Sequence, residues 1–132
     1  MKRQSGFSIV MAIFILVVLA LLSSYMVKMA GAQLSAATFS MQGARAYQSA
    51  RAGLGWAIAR VSAGGGCTEI TNASPLSFTG INDFSVTLSC TSQSFSEADA
   101  TPVVYKITAL SEFDTYSSAN YISRSIVVSF VD

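Results

Sequence analysis

The chain has 132 residues, 52% of them hydrophobic and only 11% charged, with eight Lys and Arg against seven Asp and Glu. It contains no histidine, which removes the common general base for a serine or cysteine nucleophile. Its basic residues are too few and too dispersed for a nucleic-acid footprint, and so low a charge content suits a protein packed against neighbours or lipid.

Lys2 and Arg3 open the chain, and from Gly6 to Val27 there is no charge. An apolar run of about 20 residues is long enough to cross a bilayer as a helix. The two cations before it hold the N-terminus in the cytoplasm and send the rest of the chain out of it. Three readings of the segment compete: an uncleaved signal anchor, a removable secretory signal cut after Ala30-Gly31-Ala32, and a short processed leader. Against the second, hydrophobic regions of secretory signals run about 7–15 residues, and Lys28 interrupts this one just before the supposed site.

The third reading rests on the order of the residues. A basic leader, Gly6, Phe7, Ser8, Ile9, Val10 and an unbroken apolar helix follow one another, and this order resembles the type IV prepilins. The resemblance implies cleavage between Gly6 and Phe7 by a prepilin peptidase and N-methylation of Phe7. One position departs from the family pattern. Most pilins carry glutamate at the fifth mature residue, which here is Met11. In the family that glutamate is thought to neutralise the N-terminal amine of the subunit ahead, because an unpaired carboxylate in an apolar core is costly. A subunit with methionine there cannot make the contact, but the first subunit of a filament has none ahead of it. The expectation is a low-copy minor pilin at or near the pilus tip. The competing expectation is a protein that stays in the inner membrane and never enters a filament.

Residues 7 to about 62 contain no proline and read as one long helix, roughly 80 Å at ~1.5 Å per residue. Its first half is apolar all round. Gly31 and Gly43 weaken the middle, and a bend or local melting is expected near Gly31. The second half is amphipathic: Tyr47, Ala50, Leu54, Ile58 and Val61 form a stripe at helical spacing that would dock onto a sheet. The opposite face carries Gln42, Arg45, Ser49, Arg60 and Trp56. Trp56 is expected either at an intersubunit contact or half-covered by a loop. Arg51 lies beside the stripe, and a stem along apolar surface with its guanidinium in water is preferred to a buried ion pair.

Ala63-Gly64-Gly65-Gly66 ends the helix, and Cys67 to Asn82 reads as a loop. Three strands follow. Phe84 to Cys90 and Val103 to Ala109 alternate in hydrophobicity, and Ile122 to Val131 puts Ile122, Arg124, Ile126, Val128 and Phe130 on one face. Polar connections are expected at Thr91–Pro102 and Ser111–Asn120. Cys67 and Cys90, an even pair in an oxidising compartment, favour a disulfide closing a loop of about 24 residues, worth roughly 3 kcal/mol. Two thiolates with no histidine leave a tetrahedral zinc site half-filled. Two acids two residues apart, Glu97 with Asp99 or Glu112 with Asp114, fall short of a calcium cage. Gly64-Gly65-Gly66 lacks the lysine and hydroxyl of a phosphate loop.

The expected architecture is α+β, a pilin fold: a long N-terminal helix packed on an antiparallel sheet of three to four strands. Its parts are a leader (1–6), a transmembrane or filament-core helix (7–30), the amphipathic half of the helix (31–63) and a β head (64–132). Lys2, Arg3, Lys28, Arg45, Arg51 and Arg60 precede residue 66 with no acid among them, and all seven acids follow it. Two readings stand: a basic stem and an acidic head that pair between copies or cousins, and a stem that simply avoids acids near anionic lipid headgroups; Arg45, Arg51, Trp56 and Arg60 are the candidate subunit contacts.

Arg45-Ala46-Tyr47-Gln48-Ser49-Ala50-Arg51-Ala52-Gly53-Leu54-Gly55-Trp56-Ala57 is similar to a signature of minor pilins, many of which have glutamate where Arg51 stands. The arginine form, with Lys106-Ile107-Thr108-Ala109 and Arg124-Ser125-Ile126-Val127-Val128, resembles the MshP group of biogenesis proteins of the mannose-sensitive haemagglutinin pilus. The resemblance implies a non-enzymatic assembly subunit without cofactor. Its partners would be the major pilin, other minor pilins, the prepilin peptidase, the inner-membrane assembly platform and, before assembly, lipid. It would sit in the bacterial inner membrane with a periplasmic head, then in the pilus. Two other classes stay open: a tip-forming type II secretion pseudopilin, for whose usual large insert this chain has no room, and an adhesin acting through the loops Thr91–Pro102 and Ser111–Asn120.

Overall fold

The computed structural model describes residues 7–81, 83–98 and 100–131. The expected leader and Gly6 lie outside them, as does the Asp99 member of one acidic pair. The elements are α1 (Phe7–Ser62), α2 (Cys67–Asn72), β1 (Phe84–Ser94), β2 (Val103–Phe113) and β3 (Ile122–Val131), an α+β arrangement. The chain divides into two compact units, Met1–Thr38 and Phe39–Asp132.

In the first unit α1 is helical throughout, and the expected melting at Gly31 does not occur. From Ile9 to Leu34 its large apolar side chains are exposed, and the helix is long and apolar enough to cross a membrane. Two of its serine hydroxyls are turned inward: Ser23 and Ser24 donate to the carbonyls of Leu19 and Ala20 at 2.8 and 2.9 Å. Such i−4 bonds satisfy a polar group within its own helix.

In the second unit the remainder of α1 packs on a three-stranded antiparallel sheet of order β1-β2-β3. The buried stripe is mostly small residues, Gly43, Ala46, Ser49, Ala50, Gly53 and Ala57, with Leu54 and Val61. They meet Ile70 of α2, Val86 and Leu88 of β1, and Ile107 and Ala109 of β2. Two expectations are corrected here. Tyr47 is exposed, and Ser49, assigned to the polar face, is fully buried. Gly53 lets the helix sit close to the sheet, since a Cβ there would be only 2.6 Å from Val86 Cγ1, and the tyrosine lies on the flank.

Gly64, with φ +85°, ends α1 in the left-handed conformation glycine adopts without strain. Gly65 N–H then donates to Arg60 O at 2.9 Å. The segment read as a loop begins with the single helical turn and a half of α2, whose Ile70 is buried. Both first strands run past their expected ends. Thr91–Ser94 continues β1 because it pairs with Lys106–Val103, and β2 continues to Phe113, paired first with Phe84 and then with Ile122. β3 has the bounds its alternation predicts.

Candidate functional site

Met11, on the first unit's helix, is 52% exposed within an apolar surface shared with Ile9, Val10, Phe14 and Ile15. Phe7 is the first helical residue; cleavage at Gly6 and methylation of Phe7 concern positions where no side chain is described.

On the second unit Arg45 and Arg51 are exposed, so Arg51 keeps its guanidinium in water as its position beside the stripe predicts. Trp56 is half-buried and packs against the core. Arg60, one turn later, sets its guanidinium 5.2 Å from the indole centroid, within range of a cation–π attraction. Both line a cleft of about 330 Å3 with Glu69, Asn72 and Ala73. The cover over Trp56 is thus the short helix α2, where a loop was expected. Glu69 also lies beside the helix end: a Cβ on Gly65 would come within 2.8 Å of its Oε2.

α2 is held to the sheet by the Cys67–Cys90 disulfide, with Cα atoms 5.1 Å apart, and by packing of Ile70. The cleft wall therefore depends on the bridge. On the outer face of the sheet Thr91, Ser92, Gln93, Val104, Lys106 and Ser129 line a second depression of about 330 Å3. It has one cation and several hydroxyls.

The turn between β2 and β3 is organised by Asp114. Its carboxylate accepts from Thr115 N–H at 2.7 Å and from Ser118 Oγ at 2.8 Å. The backbone donor, then the Ser118 hydroxyl, holds its pKa below the ordinary carboxylate value. Tyr121 donates to Glu112 Oε1 at 2.5 Å, and that bond raises the phenol pKa. Tyr116, 83% exposed, meets Tyr121 edge to face at 5.4 Å. The Glu112 and Asp114 carboxylates thus serve different partners.

Sequence reasoning missed three features: α2, the guanidinium of Arg124 over Gly43, and two buried hydroxyls. A Cβ on Gly43 would lie 3.2 Å from Arg124 Nη2. Ser49 and Ser111 are fully buried, and their Oγ atoms have no hydrogen-bond partner among the described residues. The signals legible in the chain itself were the Trp56–Arg60 spacing of four residues, the place of Arg51 beside the stripe and the Cys67, Cys90 pair.

Comparison of the chain with models of protein families, with curated proteins and with solved structures finds no match.

Proposed function

We propose that this chain is a minor type IV pilin similar to the MshP group, a structural subunit that primes or caps the pilus at its tip and has no catalytic task. The observation that carries the reading is a combination. A basic leader and the pair Gly6-Phe7 precede a helix whose apolar surface is exposed from Ile9 to Leu34, followed by a three-stranded α+β head. Exposed apolar side chains over that length need lipid or other apolar helices around them. Met11 adds the position. A methionine cannot neutralise an amine ahead of it, whereas the amine at Phe7 can still receive a glutamate from the next subunit. The exposed Arg45 and Arg51 and the Trp56–Arg60 cleft are the surfaces offered to neighbouring pilins.

The test is the intact mass and N-terminal sequence of the protein from its own cells, with and without the prepilin peptidase. A chain starting at Phe7 and one methyl heavier than its sequence supports a pilin. A start at Met1 leaves a single-pass anchored protein, and a start after Ala32 a secreted domain; either overturns the reading. For the tip position, Met11→Glu is expected to be processed normally and to spread into the pilus shaft. Unchanged behaviour of that variant would remove Met11 from the argument.

A further inference from the structure

We draw no further inference here: the strongest candidate, the outer edge of β3 with the half-buried row Ile126, Val128 and Phe130 beside it, is an apolar face for which nothing in the structure shows what covers it.

Discussion

A Cβ placed on Gly53 of α1 would lie 2.6 Å from Cγ1 of Val86 on β1. Helix backbone and sheet side chain touch there, and that contact sets how near α1 lies to the core strands. A Cβ on Gly55, two residues on, would meet nothing within 4 Å among the described residues.

Gly53→Ala is therefore expected to destabilise the second unit by about 1–3 kcal/mol through overpacking, despite alanine's advantage in a helix. Gly55→Ala is expected to stabilise it by up to about 1 kcal/mol from that advantage. Urea unfolding followed by the fluorescence of the single tryptophan, Trp56, reads both. Equal effects of the two substitutions would mean that the close contact is absent.

The buried hydroxyls offer the opposite case. Ser49 Oγ is buried without a partner among the described residues, and such a group costs about 1–3 kcal/mol. Ser49→Ala, which also gains helix propensity, is expected to raise the unfolding midpoint. A lowered midpoint would reveal a bond to Oγ.

Arg60→Ala removes the cation over Trp56. The expected loss is about 0.5–1 kcal/mol, the size of an exposed cation–π contact, with a red shift of Trp56 emission as the ring gains water. An unshifted spectrum would show that the pair does not persist in solution.

Reduction of Cys67–Cys90, or Cys90→Ser, is expected to cost roughly 3 kcal/mol on the loop-entropy account. It should also free α2 from β1. Limited proteolysis should then cut between Gly64 and Asp83 faster than in the oxidised chain, and unchanged cutting would locate the hold in Ile70 instead.

Two groups give opposite pH dependences. Asp114 has a folded pKa below 3.8, so its contribution is present above the unfolded value and fades as pH falls through the folded one. Tyr121 has a folded pKa above 10.0, so its contribution is present below the unfolded value and fades as pH rises through the folded one. Asp114→Asn should flatten the acid limb of a stability–pH curve and Tyr121→Phe the alkaline limb. Exchange of these effects between the limbs would refute the assignment.

The architecture was legible where residues alternate strictly or stay apolar over many turns. β3 kept its bounds because Ile122, Ile126, Val128 and Phe130 recur at even spacing, with Arg124 and Val127 as departures, and α1 kept its end because Gly64 stops it. The ends of β1 and β2 were hidden because Thr91, Ser92, Gln93 and Ser94 look like a loop until Lys106 to Val103 appear opposite them. α2 is six residues long, too short to show a period. The docking stripe was misread at Tyr47 and Ser49 because hydrophobicity ranks tyrosine above serine, whereas a narrow gap selects for size. Arg51 and the cleft partners Trp56 and Arg60 could be seen from helical spacing. Glu69 in the cleft, and Arg124 over Gly43, could not, since those contacts join segments distant in sequence.

The inward-turned hydroxyls of Ser23 and Ser24 have a consequence for how the apolar helix meets its surroundings. With those oxygens bonded to Leu19 and Ala20 of the same helix, the surface from Ile9 to Ser24 offers its neighbours hydrocarbon and thioether but few directional bonds. Attraction between such surfaces depends on how closely their shapes pack. Whatever packs along that segment is held by dispersion and shape, since its hydroxyls are already spent within the helix.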